Sequence, residues 1–161
     1  MRLTLVLLPL AAALCSSTHI LASSDQSQVY RGPNTYTPSV PISKAQEWTS
    51  FPGASWVWES ASWSTGLITF VDTFVLPEWK RYSTSTLTLY ICADDNFSVT
   101  LNGKIIAPGG SGDFTIVTKY DLKLSFIGTT ALSGVQVNTL EISVYNSLGP
   151  GGLLYKVEIA N

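Results

Sequence analysis

The sequence has little charge, a single histidine and two cysteines among its 161 residues. Charged side chains make up only 12% of it, and nine Lys and Arg face eleven Asp and Glu, so no basic surface for nucleic acid is expected. Because 45% of the residues are hydrophobic, the low charge does not indicate a disordered chain. The length suits one domain with a hydrophobic core of its own.

The longest apolar run, over residues 3–15, is too short for a membrane span. A positive residue precedes it and small residues follow it, which is the layout of a secretory signal peptide. Cuts after Ser17 or after Ala22 both fit, and we assign residues 1–22 to the leader. The alternatives are a lipoprotein cysteine at Cys15 and a buried N-terminal strand or helix. The mature protein is expected to be secreted, extracellular or at the cell surface, with no membrane span.

Removal of the leader limits the chemistry that remains. A cut after Ala22 removes the only histidine, His19, together with Cys15, and leaves Cys92 as the only cysteine. Such a chain lacks the base of a Ser-His-Asp or Cys-His mechanism, and we expect no enzymatic activity. Cys92 then has no partner for an internal disulfide. It is either a thiol covered by a loop or strand, or half of an intermolecular disulfide.

The stretch over residues 23–45 is polar and contains three prolines, Pro33, Pro38 and Pro41. Proline breaks helices and disfavours central strands, so this stretch is predicted to be an extended segment. It lies either along the main domain or against a neighbouring subunit.

Residues 46–161 show the alternation of a β-domain. Short runs rich in Thr, Val, Tyr and Trp predict strands and favour a single antiparallel β-sandwich. The dipeptide Asn102-Gly103 between apolar runs predicts a type I′ hairpin, and the glycines of 107–112 predict a loop. The predicted strands cover residues 54–58, 66–76, 84–93, 97–106, 113–120, 122–127, 139–145 and 152–159.

Several motifs occur in an order that is familiar. They are the WVW of residues 56–58, Phe74 to Pro77, Asp94 to Asn96, Asn102-Gly103, Val144 to Asn146 and Gly152-Leu153. Over residues 54–160 the chain resembles galactose-binding-like jelly-roll domains, a carbohydrate-binding-module type of β-sandwich. The resemblance implies a jelly-roll fold, and it implies sugar binding, cell adhesion, lipid binding or a structural role.

All five tryptophans fall between residues 48 and 79. Exposed rings stack on sugars, and buried rings fill the space between sheets. Trp56 and Trp58 are expected to pack in the core on one face of their strand. Trp63 and Trp79 lie among polar residues and are candidate ligand-binding residues.

The turn Asp94-Asp95-Asn96 gathers oxygen atoms that suit a hard cation such as calcium, with Asp94 and Asp95 as candidate ligands. Aspartate and asparagine are equally favoured in turns for their local hydrogen bonds. We also name Asp95 and Asn146 as candidate ligand-binding residues. Glycosidase chemistry needs a second carboxylate opposite, and no spacing predicts one. Asn96-Phe97-Ser98 is an N-glycosylation sequon, unless the turn is too tight to be modified.

Two functions follow from these observations. The first is a secreted, non-catalytic module that binds carbohydrate or an extracellular matrix or surface partner. The alternative is a structural, self-assembling subunit of an extracellular fibre, sheath or matrix, with the segment 23–45 contacting a neighbouring subunit. A surface with few charges favours packing of such a homo-oligomer or filament.

Overall fold

The computed structural model describes residues 19–24, 26–43, 47–62, 64–76, 86–110, 112–123 and 136–160. Over these ranges the chain forms twelve strands, and no helix in them is long and apolar enough to cross a membrane. The strands are β1 His19–Ala22, β2 Gln28–Gly32, β3 Thr35–Pro38, β4 Val40–Pro41, β5 Val57–Trp58, β6 Gly66–Leu76, β7 Thr86–Asp94, β8 Asn96–Leu101, β9 Lys104–Gly110, β10 Thr118–Lys123, β11 Gln136–Asn146 and β12 Gly152–Ala160.

The strands form two antiparallel sheets of six strands each. Sheet A has the order β10-β7-β12-β5-β4. The remaining strand, β1, lies on the same side of β12 as β5 and pairs with a later part of β12. Sheet B has the order β3-β2-β6-β11-β8-β9. The chain therefore forms the all-β antiparallel sandwich that the sequence predicts.

The core lies between the two sheets and is built by alternation along the long strands. Side chains at every second position of β6, β7, β11 and β12 point inward and are buried. Their burial drives the association of the sheets, because apolar area leaves water on both inner faces. The largest inward side chains include Phe70, Leu89, Ile91, Ile142 and Tyr155.

Asp72 is the one acidic residue on the inner face of β6. Its carboxylate accepts hydrogen bonds from the hydroxyls of Ser27 (2.9 Å) and Tyr155. Burial raises the pKa of Asp72 to about 6, although the hydrogen bonds from Ser27 and from the Gln28 amide act in the opposite direction. This polar cluster joins the two sheets, because Tyr155 belongs to β12 and Asp72 to β6.

The predicted hairpin at Asn102-Gly103 is confirmed. Both residues have positive φ, 52° and 75°, as a type I′ turn requires, and they join β8 to β9. The predicted loop over residues 107–112 is wrong in its first part, because β9 continues to Gly110. A side chain at Gly110 would overlap the ring of Phe97, so glycine here allows close pairing of the two strands.

The strands predicted over residues 113–120 and 122–127 differ from the structure, and the one predicted over residues 54–58 is shortened to β5. Residues 113–120 do not start as a strand: the Asp113 carboxylate accepts hydrogen bonds from the amide and hydroxyl of Thr115 and holds a turn. The strand β10 begins only at Thr118 and covers the start of the predicted 122–127 strand, while residues 124–127 lie outside the described residues.

The segment 23–45 contributes strands to both sheets of its own chain. β2 and β3 extend sheet B, and β4 extends sheet A. Pro38 and Pro41 stand at the ends of edge strands, where a missing N–H removes no hydrogen bond from the centre of the sheet. Of the predicted leader, residues 1–18 with Cys15 lie outside the described residues, and His19–Ala22 form β1.

A second, smaller core lies on the outer face of sheet A. Trp48, Trp56, Cys92 and Leu154 pack together there, with Phe114 against them. Trp56 and Trp58 are both buried, as predicted, but the prediction that they share one face is wrong. Because β5 has only two residues, the chain is irregular around it. Trp58 turns inward to Phe70, with ring centroids 5.9 Å apart, whereas Trp56 stays in the outer cluster.

Cys92 is buried within this outer cluster. Its thiol donates to the carbonyl of Asp113 (3.4 Å), in the turn that covers it. Burial, with smaller contributions from the charges of Asp113 and Asp94, raises the pKa of Cys92 to about 12. An intermolecular disulfide at Cys92 would therefore require the covering turn to move away.

Candidate functional site

A pocket of about 640 Å³ lies at the end of sheet A where β7 ends and β12 begins. This volume falls within the range of roughly 300–1,000 Å³ that is usual for small-molecule sites. Six separate parts of the chain line it: residues 41–43, 47–48, 58 with 60–62, 94, 114 and 150–151. Short strands and loops converge here, so the site exists only once the sandwich has formed.

The rings of Trp48 and Trp58 form the floor of the pocket. They are only 6% and 1% exposed, so little of either ring is available to stack on a ligand. The more accessible apolar lining comes from Ile42, Phe114 and Pro150. Trp48 is held in place by Phe114, with ring centroids 5.5 Å apart.

A glycine pair allows the tryptophans to approach the main chain. A Cβ at Gly151 would stand 2.3 Å from a ring carbon of Trp58, and a Cβ at Gly152 would stand 2.8 Å from Trp48 and Trp56. Neither position therefore tolerates a side chain while the rings stay in place. The motif Gly152-Leu153, which carries part of the sequence resemblance, thus serves the packing of the pocket floor.

Two carboxyl groups, those of Glu47 and Asp94, also line the pocket. Burial, together with a hydrogen bond to Asp95 and the charge of Asp95, raises the pKa of Asp94 to about 7. Near neutral pH a substantial fraction of Asp94 therefore carries a proton. The serine hydroxyls of residues 43, 60 and 62 complete the polar lining.

Asp95 is engaged by the protein itself. Its carboxylate accepts hydrogen bonds from the amide of Ser147 (2.8 Å) and from the Ser147 hydroxyl. These bonds, the hydroxyl first, lower the pKa of Asp95. Asp95 thereby anchors the loop that leads to Gly151. It does not itself line the pocket.

Asn146 has a comparable position. It is fully buried, and its amide donates to the carbonyls of Ser64 (2.7 Å) and Gly149 (3.0 Å). These two bonds tie the 147–151 loop to the chain that follows Trp58. Asn146 is therefore placed to position the pocket wall, and it does not itself line the pocket.

The remaining predicted site residues do not line the pocket or are not described by the structure. Trp63 and Trp79 lie outside the described residues. Asn96 is exposed at the start of β8, and its Cα partner on β11 is Tyr145. The sequon thus presents its asparagine to solvent.

Asp94 and Asp95 are the predicted calcium ligands. Over the described ranges, no group of three or more His, Cys, Asp or Glu side chains is placed to hold a metal ion. Burial and a hydrogen bond with Asp95 raise the pKa of Asp94 to about 7, whereas a bound cation would favour the ionised carboxylate. Calcium at this turn stays a prediction.

The sequence did not identify most of the pocket. None of Glu47, Trp48 and Phe114 was a candidate, because Glu47 and Trp48 lie outside the predicted strands and Phe114 falls within the strand predicted over residues 113–120. The available signal for Trp48 was a large apolar residue within a polar stretch, as in a segment that folds back over a sheet. Their convergence depends on contacts between distant segments.

The sandwich can be compared with known proteins. No protein-family model and no curated protein matches the sequence. Solved structures share its fold. One is Ruminococcus gnavus β-glucuronidase in complex with uronic isofagomine, with a TM-score of 0.52, 15% identity, and coverage of 89% of this chain and 28% of that one. Another is the FMN-binding β-glucuronidase from Facaelibacterium prausnitzii L2-6, with a TM-score of 0.54, 14% identity, and coverage of 89% and 23%.

A third match is the β-D-glucuronidase of Dictyoglomus thermophilum, with a TM-score of 0.50, 14% identity, and coverage of 86% of this chain and 28% of that chain. At such low identity the likeness shows the fold alone. The chain spans about a quarter of the length of the β-glucuronidases it matches. It has the β-sandwich fold found in one part of these glycosidase chains.

Proposed function

We propose that this protein is a secreted, non-catalytic β-sandwich module that binds carbohydrate in the pocket over Trp48 and Trp58. The observation that carries the proposal is the composition of that pocket, in which an aromatic floor and an accessible apolar wall lie beside carboxyl and hydroxyl groups. Sugars present C–H faces and hydroxyls on the same ring. A mixed apolar and polar pocket matches both at once.

Two further points support a carbohydrate ligand. The order of motifs in the sequence resembles galactose-binding-like domains, and we assign the sandwich to that type as part of this proposal. The similar solved structures are parts of β-glucuronidases, one of them solved with uronic isofagomine. The partner we propose is a glycan of an extracellular matrix or cell surface.

The test is glycan binding by the purified protein and by matched variants. Wild-type protein should bind a subset of glycans on an array. Phe114→Ala and Asp94→Asn should weaken binding about tenfold, or roughly 1.4 kcal/mol. The controls Ile105→Ala on β9 and Asp121→Asn on β10 replace a large apolar residue and an aspartate at exposed positions outside the pocket lining. Equal binding by pocket and control variants would contradict the proposed site.

The non-catalytic part of the proposal needs its own measurement. Glu47 and Asp94 line one pocket, and a pair of carboxyl groups is also the arrangement of a glycosidase. We expect no release of nitrophenol from a panel of nitrophenyl glycosides over the buffer rate. Turnover that disappears in Glu47→Gln would show an enzyme instead.

A second candidate function is that of a self-assembling structural subunit, and the outer face of sheet B favours it. Tyr145 stands opposite Leu67 and Val137 opposite Val75, with all four side chains at least 41% exposed. Between these pairs lie mainly Thr and Ser, including a Thr69–Ser143 hydrogen bond, so the face carries little charge. Light scattering of the wild type and of Val137→Lys decides: assembly lost in the variant supports this function, and a monomeric wild type argues against it.

A further inference from the structure

We propose that secretory processing cuts this chain before His19, so that strand β1 remains in the mature protein. The inference rests on the proposed secretion. Of the two cleavage sites that the sequence allows, after Ser17 and after Ala22, it favours the first. It follows from the place of residues 19–23 in the sandwich.

β1 is an integral strand of sheet A. Its four residues pair with Lys156–Ile159 of β12 in continuous antiparallel register. Leu21 stands opposite Val157 and packs against the main core. The other edge of β12 is covered by β7, so β1 makes this stretch of β12 an interior strand.

Ser23, directly after β1, is fully buried and joins three parts of the chain. Its amide donates to the Tyr155 carbonyl (3.0 Å), and its hydroxyl donates to the Ser55 carbonyl (2.8 Å). In return the amides of Tyr155 (3.1 Å) and Ser55 (2.9 Å) donate to the Ser23 hydroxyl and carbonyl oxygens. Ser23 therefore bridges the gap between β1 and the start of β5 along the edge of β12.

A cut after Ala22 would disturb both features. It would turn the buried amide of Ser23 into a charged α-amino group, and burying an unpaired charge is costly. It would also remove β1 and leave four residues of β12 with an open edge, which invites aggregation. A cut after Ser17 avoids both consequences and follows small residues, as signal peptidase requires. The mature chain then keeps His19.

The test is the N-terminal sequence and intact mass of the protein secreted from the full chain. We expect the mature chain to start at Thr18. A start at Ser23 would overturn the inference and leave secretion intact, whereas a retained Met1 would overturn both. Ser17→Tyr should block or move the cut, because a bulky residue replaces the small one that precedes it. Ala22→Tyr should leave the start unchanged, and a start that moves in Ala22→Tyr alone would also overturn the inference.

A second measurement does not depend on the secretion machinery. Protein produced from Thr18 should unfold at a higher urea concentration than protein produced from Ser23, or the shorter chain should fail to fold. Equal midpoints for the two chains would show that β1 contributes nothing to the sandwich, and would overturn the inference.

Discussion

Replacement of Asp72 by asparagine should change how the stability of the sandwich depends on pH. In the folded protein, burial raises the pKa of Asp72 from 3.8 to about 6. The folded state therefore holds this proton more tightly than the unfolded state. The protonated carboxyl therefore adds to the free energy of unfolding. This added stability is fully present below pH 4 and is lost as the pH rises through 6.

The size of the effect follows from the shift. About two pKa units at 1.36 kcal/mol each give a ceiling of roughly 3 kcal/mol. Asparagine resembles the protonated carboxyl in shape and does not titrate. The stability of Asp72→Asn relative to wild type should therefore rise by up to about 3 kcal/mol between pH 4 and pH 7.

Urea unfolding of both proteins at pH 4, 5, 6 and 7 measures this difference. Other titrating groups are common to both proteins and cancel in the subtraction. Asp121→Asn on β10 is the control, because hydrogen bonds from Lys119 and Thr88 lower the pKa of that exposed carboxyl. The stability of Asp121→Asn relative to wild type should not rise between pH 4 and pH 7. Parallel pH profiles for wild type and Asp72→Asn would refute the reasoning, because they would mean that Asp72 titrates alike in both states.

Three further predictions concern packing, reactivity and modification. Gly151→Ala should lower stability by about 1–3 kcal/mol in urea unfolding, because the new methyl group meets the ring of Trp58; an unchanged midpoint would show that the ring can move. Cys92 should resist a thiol reagent at pH 8 until the protein is unfolded, because burial raises its pKa to about 12. Peptide mapping reads the labelled residue, and rapid labelling of Cys92 in the native protein would contradict its burial. In a glycosylating host the wild type should carry a glycan that Asn96→Gln lacks, since Asn96 is exposed; masses that differ only by the methylene group of the substitution would show that the sequon is not used.

Much of the sandwich could be predicted from the sequence, because its long strands alternate strictly. The pattern over residues 66–76 predicts β6 with its bounds, and Asn102-Gly103 predicts the turn after β8. The same alternation places Asp72 on the inner face with Phe70 and Phe74. An aspartate at a core position was the signal in the sequence for the cluster of Asp72, Ser27 and Tyr155. The apolar pattern alone did not reveal this cluster.

The parts that were missed depend on contacts between distant segments. The segment 23–45 has the prolines of an extended peptide, and only its pairing with β6 and β5 makes it part of two sheets. Trp48 and Phe114 meet because two irregular segments cover the same outer face of sheet A. The periodicity of apolar residues along one segment does not predict its contact with a distant segment. The pocket could therefore not be predicted from residue spacing.

We propose that carbohydrate binds over Trp48 and Trp58 at the end of sheet A. The most direct measurement is a two-dimensional NMR titration of the labelled protein with a glycan that scores on the array. We predict that the amide signals of residues 60–62 and of Gly151, together with the indole signals of Trp48 and Trp58, shift with saturation, while those of β10 stay in place. Shifts confined to the outer face of sheet B, or none at saturating glycan, would contradict it.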